Sequence, residues 1–532
     1  MTNPAFDLTV EPWLPVVGPG ATRLVSLREA LVGAHEIDAL DHANPLVAAA
    51  LYRMLTAMAL DLLSPLRSRR HWQHAFDEGR FDAESVGRYL DENADRLDLF
   101  HARTPFMQVA GLESVSGGWK SVSLLLPEVA TGNNVPLFSA VNESSVPPLT
   151  PAQAAQRLVS THAWDTAAIK TGAKGDPKVS GGITTGNHTG TAGSLGLVIP
   201  LGRNLFETLL LSCLVGTTGP QDQPAWRQPP ATAEWTTRVP RGIRDLLTWQ
   251  SRRIRLLPEV DERGITVAKV VVTAGDRMEL LPPDLEPHTM WRAVDAAKSG
   301  VPQRPVRHQP GRAAWRGMAP MVATRAQHEG LSSTGALTQL GGMDEIPDDY
   351  PLGVLTVGVA YGNQSAVIED VMTDSLPLPV RALRGDSAMR VDLEDAVTAA
   401  EGCKVALNKL ADNLRRAAGG DPTPWDKGQR PGDRLIAGLN GPAQELLRDA
   451  QRSPERMTEH LVRWGRMLRE RTWSIADPLL DDAPAGTFLG RAEDREGKRF
   501  IRQANAEAFF RAAVRKALPR AYVDLLPQPQ EA

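Results

Sequence analysis

The run Tyr361-Gly362-Asn363-Gln364-Ser365-Ala366 sets two side-chain amides, each able to donate and accept hydrogen bonds, beside a glycine and two small residues. It follows directly on a strand-like segment, Val354–Ala360. A tip of that make-up can enter a narrow space and hydrogen-bond there; an ordinary tight turn is the competing account of the same residues. A second stretch, Thr171–Ser194, carries seven glycines: Gly172, Gly175, Gly181, Gly182, Gly186, Gly190 and Gly193. Without Cβ atoms, Gly181-Gly182 can press main-chain N–H and C=O groups against a partner at distances other residues forbid. Lys170, Lys174 and Lys178 precede the pair and add positive charge suited to phosphates. A flexible solvated loop is the alternative account of this stretch.

Bond-making chemistry has no comparable signature. The chain contains no Gly-x-x-x-x-Gly-Lys-Ser/Thr phosphate loop, no His-Glu-x-x-His and no Cys-x-x-Cys. Gly385-Asp386-Ser387-Ala388-Met389 resembles half of a nucleophile elbow but lacks its second glycine, and Asp386 or Ser387 reads better as a helix N-cap. Gly190, Gly193 and Gly196 are wrongly spaced for a dinucleotide fingerprint. His35, His162 and His188 have no partner by spacing, which predicts structural roles. The two cysteines, Cys213 and Cys403, can build neither a zinc site nor a disulfide framework, so no metal or cofactor is expected.

A chain of 532 residues is too long for one core, and its 42% hydrophobic content suits ordinary globular folding. Lys+Arg 59 against Asp+Glu 63 gives a net charge of −4, so any nucleic-acid surface has to arise by local clustering. No apolar run is read as reaching the roughly eighteen residues that span a bilayer, and Met1–Val10 lacks the regions of a signal peptide. The expectation is a cytoplasmic protein with no membrane partner.

The elements that must position these residues can be drawn coarsely. Residues 45–64 are apolar on nearly every face and predict a buried helix, as does Leu205–Val215. Gly117–Asn142 reads as irregular, its second half a long loop. Strand-like alternation marks Ile265–Val272 and Leu352–Val359, with Val367–Val371 as the other flank of the amide tip. Without a strand-helix beat, this predicts an α+β body over residues 1–375. After Leu376-Pro377-Leu378-Pro379 helical periods take over: an apolar stripe of Val391, Leu393, Val397, Val405, Leu407, Leu410 and Leu414, then Leu435–Ala450, Glu455–Ala476 and Phe500–Leu518. These predict a four-helix bundle over residues 380–525. Arg384, Arg390, Lys404, Lys409, Arg415 and Arg416 could form a basic face on it, or ordinary solvated charge interleaved with Glu394, Asp395 and Glu401.

Seven segments then align in order and spacing: FDLTVEPWLPV (Phe6–Val16), Val25–Leu31, Thr104-Pro105-Phe106-Met107-Gln108, LLPEVATGNN (Leu125–Asn134), AWDTAAIKTG (Ala163–Gly172), NLFETLLL (Asn204–Leu211) and LLTWQSRRIRL (Leu246–Leu256). In these the chain resembles the CasA family, the large subunit of the type I-E CRISPR surveillance complex Cascade. The resemblance implies a non-catalytic subunit that recognises a protospacer-adjacent motif in double-stranded DNA, starts duplex opening for the guide RNA (crRNA), and helps recruit the helicase-nuclease. Its other implied partners are CasB, CasC, CasD and CasE. Gly181 and Gly182 correspond to a glycine loop along the DNA minor groove, with Lys178 beside them. Gln364, flanked by Asn363 and Ser365, corresponds to a wedge beneath the motif. A minor-groove lysine of the family falls at Arg277, with Lys269 as the substitute if the alignment slips. Asn133, Asn134 and Phe138 lie in the loop that contacts the guide RNA 5′ handle and CasD. Some members bind zinc through a cysteine cluster; this chain has none, so no metal carries over. A hydrolase or nucleotide-using enzyme on an unfamiliar α+β scaffold is the alternative, and a scaffold that joins subunits without touching DNA is a third.

Overall fold

The computed structural model describes residues 4–518 apart from 19, 130–144, 218, 263, 324–329, 386, 424–429 and 493–499. The chain divides into two compact units. The first comprises the residues through Arg312, Ala323–Glu345 and Leu352–Ser375. The second takes in Ala313–Val322 and Ile346–Pro351 as well as everything from Leu376, two contributions from the earlier chain that periodicity alone does not suggest.

In chain order, the elements of the first unit that matter here are helix α1 (Pro45–Leu62), helix α2 (Pro151–Trp164), and strands β1 (Lys170–Thr171), β2 (Ile183–Thr184), β3 (Leu197–Leu201), β4 (Arg252–Asp261), β5 (Gly264–Ala274), β6 (Gly353–Tyr361) and β7 (Ile368–Pro377). Both helices start on strong local signals. Asn44 caps α1 by accepting from the Leu46 N–H with Pro45 in the first turn, and Thr150 forms a capping box with Gln153 ahead of Pro151. Helix α1 is buried along almost its whole length. It corrects the sequence estimate of apolar runs, because its 18 residues and mean hydropathy of 1.4 are sufficient to cross a bilayer, yet 89% of that window is packed inside the protein. Arg53, in its middle, is matched by a bidentate pair to Glu286 at 2.7 and 2.8 Å.

Two sheets complete the unit. In the first, β5 pairs antiparallel with β4 from Gly264↔Asp261 to Ala274↔Arg252, with a bulge between Val267 and Lys269. Its other edge meets Lys120–Ser121 and, in parallel, β1, which leads to β2. In the second, β6 lies between β3 and β7, so the predicted tip closes a genuine β-hairpin. The predicted helix over Leu205–Val215 stops at Leu211, with Asn204 as its cap.

Buried histidine chemistry follows from this packing. His162 on α2 is fully enclosed with Nε2 against the Met107 carbonyl at 3.0 Å, and burial, aided by the nearby Arg253 and Arg252, lowers its pKa to about 4. Below its ordinary value of 6.5 the unfolded chain takes up a proton that the folded chain refuses. Stability is therefore full above pH 6.5 and declines by about 3 kcal/mol as the pH falls to about 4, at ~1.4 kcal/mol per unit. Urea melts across that window should show the slope, and His162→Gln should flatten it.

The second unit is helical: α3 (Ala388–Ala417), α4 (Asn440–Arg452), α5 (Met457–Asp481) and α6 (Gln503–Ala517), with a short helix Pro431–Ala437 before α4. Four predicted helical segments thus exist with changed limits. The second breaks at Gly438-Leu439, and the fourth begins after a strand at Phe500–Ile501. The stripe on α3 also differs. Val391 and Val405 are exposed, while Leu393, Ala396, Ala399, Ala400, Cys403, Ala406, Leu407, Leu410 and Leu414 are buried. Small alanines let helices approach closely, and the two valines lie out of phase with that seam. Ser387 stands at the N-cap of α3, but its hydroxyl makes no capping bond. Asp386 lies outside the described residues.

Candidate nucleic-acid interface

Strands β1 and β2 pair antiparallel, and the chain between them ends in the four-residue turn Ser180–Ile183, whose outer residues exchange N–H···O bonds of 3.0 and 3.2 Å. Gly181 and Gly182 have φ of 58° and 80°. Two consecutive positive angles are the requirement of a type I′ hairpin turn and explain the glycine pair. The Gly182 carbonyl accepts from Gly172. Among the described residues the Gly181 and Gly182 N–H groups and the Gly181 carbonyl have no protein partner, so this turn presents bare main-chain donors and an acceptor to the outside. A Cβ on Gly181 would meet nothing within 4 Å.

The residues before the turn tie it to a distant part of the chain through Trp235. The indole of this buried residue donates to Asp176 at 3.1 Å, and its carbonyl accepts from the Lys178 amine at 2.6 Å. Lys178 lies 4.8 Å from the ring centroid, and the Arg277 guanidinium stacks at 3.9 Å. One Nη of Arg277 donates to the Thr185 carbonyl at 2.6 Å, just after β2, while its Nε is buried with no partner among the described residues. Burial, followed by the like charge of Arg252, lowers the Arg277 pKa. Both effects disfavour the cation, so an anionic acceptor brought to this arginine would favour its charged form.

The fold thus brings Arg277 beside the glycine turn and not Lys269, which sits within β5 paired to Glu259 at 3.0 Å. Arg277 is held in place from behind. Asp276 receives Arg253 at 2.6 Å and the Thr236 N–H at 3.0 Å, and Gly275 passes so close to β4 that a Cβ would lie 2.3 Å from the Arg252 nitrogen. The three lysines ahead of the turn carry their charge in ion pairs. Lys170 pairs with Asp165 at 2.8 Å, Lys174 with Glu113 at 2.7 Å and Lys178 with Glu234 at 3.2 Å, so each is matched locally by a carboxylate.

At the end of β6, Asn363 and Gln364 are exposed at the hairpin tip. Gln364 (φ 51°, ψ 26°) and Ser365 (φ 56°) are both left-handed, uncommon for L-residues and costly without support. The tip closes through Gly362 N–H to Val367 at 3.0 Å, and it is braced from outside where Ala167 N–H donates to the Ser365 carbonyl at 2.8 Å.

Residues 164–167 are the common frame. Arg252 is buried and donates to the Asp165 carboxylate, to the Thr166 carbonyl at 2.7 Å and to the His188 carbonyl at 2.8 Å. Burial pushes Asp165 up, but Lys170 and Arg252 outweigh it and hold its carboxyl below the ordinary range. Gly190 approaches this frame so closely that a Cβ would stand 2.3 Å from the Ala163 carbonyl carbon. The glycines of this stretch therefore divide into a turn pair and close-packing positions. A cavity of about 260 Å³, lined by Asn187, His188, Trp249, Arg252, Gly275 and Arg277 among others, lies between the glycine segment and the Arg277 turn.

Sequence reasoning missed Trp235, Asp165 and Arg252. The run Gln250-Ser251-Arg252-Arg253 carried a signal, since two adjacent arginines opening a strand are rarely buried without partners. Asn133, Asn134 and Phe138 lie outside the described residues. In the second unit Arg390 is buried and donates to the Arg384 and Gly385 carbonyls, so it does not belong to an exposed basic face. Arg384 pairs with Asp348, and Lys404 with Asp433. Cys213 and Cys403 are free and buried, and no group of three or more metal-ligating side chains occurs among the described residues.

The family described as CRISPR-associated protein Cse1 matches residues 7–475 of the chain. A curated relative, CRISPR-associated protein CasA/Cse1 of Thermus thermophilus, is 30% identical over 431 residues, covering 78% of this chain and 79% of its own. The crystal structure of Thermobifida fusca Cse1 is 31% identical with a TM-score of 0.83, over 97% of this chain and 98% of that one. Cse1 from Acidimicrobium ferrooxidans is 28% identical with the same TM-score, over 99% and 100%.

Proposed function

Because the chain belongs to the CRISPR-associated Cse1 (CasA) family, we propose that it is the non-catalytic large subunit of a Cascade complex, acting in the cytoplasm to test duplex DNA for a protospacer-adjacent motif. The division of labour is that of RNA-guided recognition: protein reads a short motif and base pairing with the crRNA reads the rest. Exchange of a DNA duplex for an RNA–DNA heteroduplex is nearly balanced, so a small protein contribution at the first pair decides whether it begins. The partners in this reading are crRNA, target duplex, CasB, CasC, CasD and CasE, with a helicase-nuclease recruited for cleavage.

The observation that carries the reading is a bare main-chain turn at Gly181-Gly182 with Arg277 stacked on the Trp235 that Lys178 also contacts, together with an exposed Gln364 tip braced by residues 164–167. Main-chain N–H groups and an arginine complement the acceptors that line the minor groove. Because that groove distinguishes base pairs poorly, several related motifs should be accepted. The tip supplies the wedge, whose insertion has to offset an unstacking cost of a few kcal/mol.

The test is duplex binding by the guide-loaded backbone complex, with and without this chain, at one stated salt concentration. The chain should strengthen binding only when a motif is present. Gln364→Ala should leave motif-dependent binding within about two-fold while slowing opening of the first pair about ten-fold, the equivalent of ~1.4 kcal/mol. Equal help to every duplex would leave a scaffold or nonspecific clamp. Turnover on nucleic acid by the purified chain, lost with an acidic pair, would favour the hydrolase.

A further inference from the structure

We propose that Tyr361 is the positioning residue of the wedge, a role that rests on the reading that the Gln364 tip opens duplex DNA. Two adjacent left-handed L-residues, Gln364 and Ser365, form a tip whose own turn bonds close it but do not aim it. Among the described residues, two bonds reach the hairpin end from the 164–167 frame. One is the Ala167 N–H on the Ser365 carbonyl. In the other, the Tyr361 hydroxyl donates to the Trp164 carbonyl at 2.6 Å.

Tyr361 closes β6 immediately before Gly362, so its ring is the last side chain with a fixed seat ahead of the tip. The carbonyl it bonds belongs to the final residue of α2, one of the acceptors that a helix end leaves without an internal donor. Burial pushes the phenol upward, which keeps it a proton donor at any working pH. Its ring also dictates Gly193 in the glycine segment: a Cβ there would lie 2.4 Å from the Tyr361 oxygen and 2.9 Å from Cε2. Tyr361 therefore fastens the tip at once to the 164–167 frame and to the glycine segment that lines the Arg277 cavity. The Tyr361→Phe change keeps the ring, the sheet and the Gly193 contact, and removes one tether of the tip.

The experiment places 2-aminopurine in the first base pair beyond the motif and follows opening by the complete guide-loaded complex. With Tyr361→Phe, motif-dependent binding should stay within about two-fold while opening slows about five-fold, the size of one lost hydrogen bond. A target already mismatched at its first pairs should restore the parent rate, which a general loss of stability would not do. Gly193→Ala should slow opening by displacing the same phenol, and adding Tyr361→Phe to it should slow opening no further. Normal opening with Gln364→Ala would remove the wedge reading and this inference with it. Slow opening with Gln364→Ala but parent rates with both Tyr361→Phe and Gly193→Ala would overturn the positioning role alone. Parallel loss of binding and opening, unrelieved by the mismatched target, would make Tyr361 a stability residue and also overturn it.

Discussion

Gly181→Asp, assembled into the guide-loaded complex, should reduce binding to motif-bearing duplex about 100-fold while the chain remains folded. The position has φ of 58° and open space around its Cβ, and aspartate is among the few L-residues that adopt this conformation readily. The folding penalty is then about 1 kcal/mol. The side chain, however, stands the main-chain donors away from a groove floor, and its charge faces phosphates. Losing about two hydrogen bonds at ~1 kcal/mol each and adding one charge repulsion of ~1 kcal/mol gives ~3 kcal/mol, or about 100-fold. Gly181→Asn keeps the shape without the charge and should recover about five-fold of it. Titrations of both variants against one duplex with and without the motif measure the effect. Wild-type affinity in Gly181→Asp would remove the turn from the interface.

Arg53→Met should be the most destabilising of the changes considered, at about 3–5 kcal/mol. Arg53 and Glu286 are 2% and 0% exposed, and removal of the cation strands a carboxylate in the core. Glu286 also accepts from the His288 N–H at 3.0 Å, while His288 bonds the Ser212 hydroxyl at 2.9 Å, so the network joins α1 to two distant segments. Replacing both partners, as Arg53→Met/Glu286→Leu, should recover most of the loss and leave about 1–2 kcal/mol for the orphaned His288 N–H. Urea midpoints followed by tryptophan fluorescence and circular dichroism would measure both variants. A double variant no better than Arg53→Met would mean that packing, rather than charge, dominates at this site.

Much of the architecture was legible because it rests on local signals. The apolar α1 and the strand before Tyr361 are written in consecutive residues, whereas α2 went unread although its Thr150-Pro151 start is equally local. Boundaries failed where distant packing decides them. Burial on α3 selects alanines over Val391 and Val405, because the neighbouring helices approach along that seam. The site followed the same division. Gly181-Gly182 and Asn363-Gln364 could be singled out by residue type. Arg277 entered only through resemblance, and the carboxylates that pair with Lys174 and Lys178 lie 61 and 56 residues away, beyond what spacing can show.

By itself the sequence determined the chemical repertoire: a glycine pair that can hold positive φ, an amide tip on a hairpin, no motif for bond-making, and a family likeness across the chain. Those properties belong to single residues and their neighbours, so no distant contact is needed to infer them. Only the tertiary structure decided that Arg277 and not Lys269 stands beside the glycine turn, that Trp235 carries both cations, and that Tyr361 fastens the tip to the frame around Asp165. Stacking and hydrogen bonding act over a few ångströms, and here they join residues about 40 to 200 positions apart, a distance at which sequence order carries no geometric information.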